Sequence, residues 1–254
     1  MKGDTIEPMS NPFLSIIVPA YNEAERIPLT LLDMDKRLSE ANFSYEILVV
    51  NDGSTDKTAE VVAKMAETIP HLRLIDNPKN QGKGGVVRDG MLAAKGQYRI
   101  FTDADNSTSI DQFEPMLPFF KEGCEVVIGS RAVKGAKQEP AQPFYRQLLG
   151  RAANIIIQIV NMPGIWDTQC GFKAFTAEAA ERIFPLTRIN GWGFDIEALA
   201  LAQSLGYRIK EMPVHWVNDA ASHVKLSAYL KVFIENVKIR AWLILGSYRV
   251  ESNP

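Results

Sequence analysis

The sequence predicts an α/β fold with a mostly parallel sheet flanked by helices. Short, β-branched apolar runs alternate with segments in which apolar residues recur at helical spacing. Two acidic clusters, at residues 52–54 and 103–105, directly follow two of these runs. Open α/β sheets bind ligands at the carboxyl ends of their strands, so both clusters are expected at one binding edge. The 254 residues, 46% of them hydrophobic, suffice for a single core of this kind.

The elements follow from these patterns in chain order. The predicted strands cover Leu14–Pro19, Glu46–Val50, Leu72–Asp76, Tyr98–Thr102, Glu125–Gly129 and Ile209–Val217. The predicted helices cover Pro28–Ala41, Asp56–Thr68, Gly84–Ala94, Tyr145–Val160, Phe194–Leu205 and Leu226–Leu245. Met162–Lys173 is predicted to be a loop, and Val133–Pro143, which contains two Pro and one Gly, a mobile lid.

The two ends of the chain are expected to differ from the main domain, which we place at residues 13–225. Residues 1–12 lack the apolar stretch of a signal peptide and are predicted to form a loose arm. Residues 226–254 form a basic amphipathic extension of the same domain, which could lie in a membrane interface or pack against its own core. The longest apolar runs, Ala152–Val160 and Ala241–Gly246, fall short of the roughly 20 residues that span a bilayer, so insertion across the membrane is not expected and attachment to its surface stays open.

The charge distribution and the cysteine content indicate which binding partners and which cellular compartment to expect. Before Arg131 the chain has 13 basic and 20 acidic residues, and from Arg131 onward it has 15 basic and 10 acidic residues. The second half is therefore expected to face an anionic partner, but it has no dense Lys/Arg run or zinc-ligand spacing, so nucleic acid is not expected. Cys124 and Cys170 are far apart in sequence and favour a reducing cytoplasm.

The acidic tripeptide Asp103-Ala104-Asp105 is the sharpest chemical signal. It follows the predicted strand Tyr98–Thr102. Two carboxylates two residues apart on a turn can supply hard oxygen ligands to Mg²⁺ or Mn²⁺, which in turn can bridge the phosphates of a nucleotide. Alone the tripeptide is weak evidence, because Asp is common in turns for structural reasons.

Three motifs at successive strand ends together resemble family 2 glycosyltransferases of the GT-A fold. They are VPAYNE (18–23), NDGSTD (51–56) and DADN (103–106). The resemblance implies a base and ribose pocket, a metal and diphosphate site, and added positive charge from the NQGKG segment. The implied residues are Pro19, Tyr21, Glu23, Val50 and Asp52 for the pocket, Asp103 and Asp105 for the metal, with Ala104 and Lys83 beside the diphosphate. Asn51 departs from the family pattern, which often has a second acidic residue there.

GSR (129–131) ends a predicted strand, and the planar fork of Arg131 suits phosphate. Three later segments resemble the dolichyl-phosphate β-glucosyltransferases, with the mannosyltransferases a step further off. They are DTQCGFK (167–173), WGFDIE (192–197) and SHVK (222–225). The resemblance implies that Arg131 and Lys225 meet the donor diphosphate or the lipid phosphate, and that Arg146, Arg151 and His223 are available to the acceptor phosphate. Ser107, where the mannosyl enzymes typically have a Gln, weakens a mannosyl assignment. Asp219, where the mannosyl enzymes have an Arg, implies that one phosphate contact is missing or supplied from elsewhere.

The resemblance implies a metal-dependent, inverting transfer of glucose from UDP-glucose to a polyprenyl phosphate on the cytoplasmic face of a membrane. An ionised phosphate needs no general base to attack. Three alternatives stay open: GDP-mannose or another donor, a saccharide hydroxyl acceptor with Asp195 as base, and a nucleotide-sugar-binding protein without activity. An NAD-binding protein would need a glycine fingerprint after the first strand, where VPAYNE has none.

Overall fold

The structure, a computed structural model, describes residues 11–140, 150, 154–217 and 226–248, with side chains in the last segment described from residue 230. Seven strands form the central sheet: β1 (Leu14–Ala20), β2 (Tyr45–Asp52), β3 (Leu72–Asn77), β4 (Tyr98–Thr102), β5 (Val126–Ser130), β7 (Phe172–Thr176) and β8 (Ile209–Pro213). A separate parallel pair consists of β6 (Lys137–Glu139) and β9 (His215–Val217). The central order is β3-β2-β1-β4-β7-β5-β8, and only β7 runs antiparallel to its neighbours.

Helices cover both faces of this sheet. They are α1 (Ile27–Ser39), α2 (Thr58–Ala66), α3 (Lys83–Ala93), the 3-10 turn Ile110–Met116, α4 (Leu117–Lys121), α5 (described over 154–160), α6 (Ala177–Ile183), the 3-10 turn Phe184–Leu186, α7 (Phe194–Ser204) and α8 (Leu226–Ile244). All seven residues of β1 are buried, as expected of a strand covered on both sides. Successive side chains of β1 join opposite cores, with Ile17 facing α3 and Ile16 facing α1.

The predicted α/β fold is confirmed, and five of the six predicted strands are found with small shifts at their ends. The prediction of one strand over Ile209–Val217 is wrong. The chain leaves the central sheet after Pro213, and the Val214 amide donates to the Ser130 carbonyl before β9 joins the second sheet. The predicted loop Met162–Lys173 ends inside β7, because Phe172 and Lys173 pair with β4.

The predicted lid at Val133–Pro143 contains a strand. Residues 137–139 form β6 and pair with β9, which fixes the middle of this segment to the chain after β8. Residues 141–143 lie outside the described residues, as do most of the residues between 141 and 153. The described part of the predicted helix at 145–160 is helical.

Helix α8 packs on the rest of the molecule through one side. Ile239 is fully buried in the core that also contains α7, and Val232 and Trp242 pack against that core. The opposite side exposes apolar residues, among them Leu230, Phe233 and Ile244. Within the described ranges, none of the helices combines the length and hydropathy that a membrane crossing requires.

Candidate active site

A cavity of about 550 Å³ opens at the carboxyl ends of β1, β2 and β4. Its other walls are the start of α3 and the loop before α7. The lining residues are Pro19, Ala20, Tyr21, Glu23, Arg26, Asp52, Asn80, Gly82, Lys83, Val86, Asp103, Ala104, Asp105, Gly191 and Trp192. The predicted convergence of the strand-end motifs at one edge of the sheet is therefore confirmed.

The turns after β1 and β2 are hydrogen-bonded to each other. Asn22 has a positive φ of 55°, and its side-chain carbonyl accepts from the Thr55 amide at 2.8 Å. In return the Asn22 amide donates to the Ser54 hydroxyl at 2.9 Å, and the Glu23 amide donates to the Thr58 hydroxyl at 2.8 Å. This interlock holds the Tyr21 ring, 47% exposed, at the cavity.

Asp52 anchors the loop that precedes α3. Its carboxylate accepts from the amides of Gln81 at 2.6 Å and Gly82 at 3.1 Å. Gly82 has a φ of 94°, and a Cβ there would lie 2.4 Å from the Asn190 carbonyl oxygen, so only glycine fits. Asp52 thus fixes the start of α3 while it lines the cavity.

Asp103 and Asp105, the acid pair, form the charged floor of the cavity together with Lys83. The Lys83 ammonium donates to Asp103 at 2.5 Å and lies 5.3 Å from the centre of the Trp192 ring. Burial opposes the charge on Lys83, but Asp103, Asp195 and Asp105 outweigh it and raise the Lys83 pKa. Burial and the neighbouring Asp103 raise the pKa of Asp105. Two carboxylates and one ammonium therefore share a small volume.

The residues present fit a divalent cation. Asp103 and Asp105 both line the cavity, and burial together with the charge of Asp103 raises the pKa of Asp105. A bound cation would relieve this repulsion between the two carboxylates. In the described ranges no cluster of three or more His, Cys, Asp or Glu side chains is arranged to hold a metal. Oxygens from a bound molecule would have to complete the coordination of a cation on this pair.

Arg131 is fixed by Asp167. The guanidinium donates to the Asp167 carboxylate through Nε at 2.8 Å and Nη2 at 3.0 Å, and the Arg131 amide donates to the same group at 2.9 Å. Burial would raise the pKa of Asp167, but the charge and hydrogen bonds of Arg131 lower it. Arg131 is not among the residues that line the cavity, although the charge of Asp103 helps to raise its pKa.

Asp195 forms a buried ion pair with Lys173. The Lys173 ammonium, with no exposed surface, donates to Asp195 at 2.8 Å and to the Cys170 carbonyl at 2.5 Å. Burial raises the pKa of Asp195, against the opposing charges of Lys173 and Lys83. Asp195 is buried and does not line the cavity, so this structure places it behind the site rather than in it.

The remaining predicted residues divide into three groups. Eight line the cavity as expected: Pro19, Tyr21, Glu23, Asp52, Lys83, Asp103, Ala104 and Asp105. Val50 was expected there, but it is fully buried under α3, where a Cβ on Gly90 would lie 2.9 Å from it. Four lie outside the described residues: Arg146, Arg151, His223 and Lys225. Trp192, for which the glycines on both sides favour stacking on a sugar over a place in the core, also lines the cavity.

A sheet of this order, with an acid pair after β4 and a lysine at the start of α3, is typical of the GT-A fold. The family model described as "Glycosyl transferase family 2" matches residues 15–184. The chain belongs to glycosyl transferase family 2 and is a glycosyltransferase.

Relatives agree with this assignment, and a solved structure shares the fold. A dolichyl-phosphate beta-glucosyltransferase of Trichomonas vaginalis is 40% identical, over 97% of this chain and 76% of its own length. The enzyme of that name from Saccharomyces cerevisiae is 34% identical, over 93% of this chain and 77% of its own. Glucosyl-3-phosphoglycerate synthase from Mycobacterium tuberculosis, solved with Mn²⁺, UDP-glucose and phosphoglyceric acid, aligns with a TM-score of 0.63 and 19% identity over 92% of this chain and 80% of its own.

Proposed function

We propose that this chain transfers glucose from UDP-glucose to a dolichyl-type polyprenyl phosphate, with Mg²⁺ or Mn²⁺ and with inversion at the sugar. The observation that carries the proposal is the cavity in which Asp103, Asp105 and Lys83 face one another at the strand ends. The names of the relatives support the glucosyl group and the lipid phosphate. The ligands of the M. tuberculosis enzyme are consistent with the donor and the metal.

The donor would lie with its base toward Tyr21 and its diphosphate toward Lys83. Tyr21 offers an exposed ring at the cavity, and Asp52 offers a carboxylate that can accept from a base N–H or a ribose hydroxyl. Asp103 and Asp105 would hold the cation, which supplies positive charge to the departing diphosphate. Lys83 adds a second positive charge at the same place.

The acceptor chemistry explains why Asp195 can be buried. A phosphate monoester is already ionised near neutral pH, so its oxygen can attack without losing a proton to a base. Attack from the face opposite the leaving diphosphate inverts an α-linked glucose to a β-linked product. We assign Asp195 to the Lys173 ion pair behind the site. Arg131, Lys225, Arg146, Arg151 and His223 are proposed to meet phosphate.

The apolar outer sides of α5 and α8 support a membrane-surface location. Ile155 and Ile159 on α5 are 53% and 79% exposed, and Val237 and Ile244 on α8 are 47% and 71% exposed. Asn161, at the end of α5, donates to the Asn236 carbonyl at 2.7 Å and so ties the two helices together. An amphipathic surface of this kind suits the boundary between lipid headgroups and acyl chains, where a lipid-linked phosphate is found. We place this surface on the cytoplasmic face.

The direct test is transfer of label into lipid. Purified protein is incubated with Mg²⁺ or Mn²⁺, dolichyl phosphate in vesicles and one of several labelled nucleotide sugars, and label in the organic phase is counted. The proposal predicts label from UDP-glucose that is lost with EDTA. Label from GDP-mannose instead would overturn the donor assignment. Donor binding without lipid-soluble label from any donor would overturn the lipid-phosphate acceptor.

Substituting Asp195 separates a phosphate acceptor from a sugar hydroxyl acceptor. We expect Asp195→Asn to lower thermal stability, because it leaves the buried Lys173 ammonium without its charged partner. The turnover number per folded molecule should fall less than about tenfold, since phosphate attack requires no general base. A loss of activity at full folding, with lipid phosphate as acceptor, would restore Asp195 as the base.

A further inference from the structure

Trp192 lies in the loop of residues 187–193, which precedes α7. Helix α8 holds this loop through the carboxylate of Glu235. The Gly193 amide donates to Glu235 Oε2 at 2.7 Å. A Cβ on Gly191 would lie 2.2 Å from Glu235 Oε1, and a Cβ on Gly193 would lie 2.8 Å from Oε2. The Glu235 carboxylate therefore lies directly against both glycines that flank Trp192, and this close approach accounts for the Gly-Trp-Gly sequence.

The same loop reaches the cavity from the other side. Gly191 and Trp192 line the cavity, and the Trp192 ring lies 5.3 Å from the Lys83 ammonium that pairs with Asp103. The Gly84 amide at the start of α3 donates to the Asn190 carbonyl at 2.9 Å. The position of Trp192 is thus linked to Lys83 and, through Glu235, to α8.

A second carboxylate holds the beginning of the loop. Glu197 on α7 accepts from the amides of Arg188 at 2.9 Å and Ile189 at 2.8 Å, and it also accepts from the Tyr248 hydroxyl at 2.7 Å. The two ends of the loop are therefore fixed differently. Glu197 belongs to the helix that follows the loop, whereas Glu235 belongs to an element 42 residues away in sequence.

We infer that Glu235 is a positioning residue for transfer, which holds Trp192 at the mouth of the cavity where the sugar and the acceptor meet. The inference rests on the proposed function. Trp192 is half-exposed and has glycine on both sides, so its backbone has few restraints of its own. A charged acceptor on a backbone amide is a strong restraint for such a loop.

Hydrogen exchange tests the restraint independently of the substrate. Amide exchange in the segment 190–194 is measured for the wild type, Glu235→Ala, Glu235→Gln and the matched control Glu178→Ala. Glu178 is an exposed carboxylate on α6 whose partner is Arg182. We expect Glu235→Ala to speed exchange at Gly193 about tenfold, Glu235→Gln to speed it less, because the amide oxygen can still accept, and Glu178→Ala to leave it unchanged. Wild-type exchange in Glu235→Ala would overturn the inference.

A double-mutant cycle tests whether the restraint acts through Trp192. With UDP-glucose and dolichyl phosphate, kcat/KM is measured for wild type, Glu235→Ala, Trp192→Ala and the double variant. We expect Glu235→Ala to lower kcat/KM about tenfold in the wild-type background, but less than about twofold once Trp192 is absent. Equal losses in both backgrounds would overturn the positioning role. If the wild type transfers no glucose, the proposed donor fails, and the exchange measurement alone decides whether Glu235 holds the loop.

Discussion

The two halves of the molecule use their charged residues differently. In the first half, Asp52, Lys83, Asp103 and Asp105 all line one cavity. In the second half, the charges described around the site are paired inside the protein, as in the ion pairs Arg131–Asp167 and Lys173–Asp195. A charged residue at the carboxyl end of a parallel strand lies at the binding edge because of the sheet topology. A charged residue elsewhere can instead form an ion pair inside the protein.

The charges of the cavity are therefore available to a bound molecule, whereas those of the buried ion pairs stabilise the fold. The acid pair and Lys83 have net negative charge to offer to a cation, and burial raises the pKa of Asp105. Arg131 and Asp167 instead neutralise each other through three hydrogen bonds. Substitutions of the cavity charges in the first half should therefore affect turnover most, and loss of the carboxylates Asp167 and Asp195 from the ion pairs of the second half should affect folding most.

The largest effect is expected at the acid pair. Asp105→Ala removes a carboxylate from the floor of the cavity and should lower kcat by about 10²–10³-fold with little change in melting temperature. The measurement is transfer of labelled glucose at saturating donor. Asp111→Ala, which removes a carboxylate paired with Arg37 outside the cavity, is the control and should retain activity. Full activity in Asp105→Ala would remove the acid pair from the mechanism.

The next largest effect is on stability, in the second half. Asp167→Asn should lower the free energy of unfolding at pH 7 by about 3 kcal/mol, because it leaves Arg131 without its charged partner. Urea denaturation measures this free energy. The control is Glu178→Gln, which removes a carboxylate from an exposed ion pair with Arg182 and should lower the free energy of unfolding by less than about 1 kcal/mol. A small effect of Asp167→Asn would mean that Arg131 is not held by this carboxylate.

The pH dependence of the same pair has a defined sign. Arg131 lowers the pKa of Asp167 in the folded state, so the folded protein binds fewer protons than the unfolded chain. The stabilisation is fully present above the ordinary carboxyl pKa of about 4 and is lost as pH falls through the lower folded-state value. The difference in unfolding free energy between wild type and Asp167→Asn should therefore shrink below about pH 4. A difference that grows with acidity would contradict the assignment.

Gly171 in the second half lies against Asp103 in the first half, and its substitution should have an intermediate effect on activity. A Cβ on Gly171 would lie 2.1 Å from Asp103 Oδ2 and 2.5 Å from its Cγ, so Gly171→Ala must displace that carboxylate. A displacement of about 1 Å in such a group can cost about a hundredfold in kcat/KM. The assay is glucose transfer, with the melting temperature measured alongside. Unchanged kcat/KM would mean that the position of Asp103 is not critical.

The smallest effect is expected near the C-terminal end of the described chain. Tyr248→Phe removes the hydroxyl that donates to Glu197 at 2.7 Å, but leaves the ring against Trp242 and Arg188. One hydrogen bond to a buried carboxylate should be worth about 1–2 kcal/mol in the free energy of unfolding. Chemical denaturation measures it. An unchanged free energy of unfolding would mean that the hydrogen bond from Tyr248 to Glu197 does not stabilise the fold.

The sequence predicted most of the cavity lining because its signals are local. Each of the motifs VPAYNE, NDGSTD and DADN directly follows a strand, and parallel strands bring their ends together. Val50 was misplaced for a different reason. Its side chain lies beneath Gly90, where α3 approaches β2 closely, and that contact joins residues 40 positions apart.

The second half was harder to predict because its contacts are remote in sequence. Strand β7 was missed because Lys173, its second residue, is charged, and the charge is compensated by Asp195, 22 residues away. The contacts of Gly171 with Asp103 and of Glu235 with the Trp192 loop likewise join distant segments. Side-chain pairing of this kind leaves no periodic pattern in the sequence.

Binding of UDP with and without metal tests the central claim most directly, which is that the acid pair holds a cation beneath the donor diphosphate. UDP is titrated calorimetrically into the wild type and into Asp105→Asn, each with Mn²⁺ or with EDTA. The account predicts that Mn²⁺ tightens UDP binding to the wild type by at least about tenfold and has little effect on Asp105→Asn. Equal UDP affinity with Mn²⁺ and with EDTA in the wild type would contradict it.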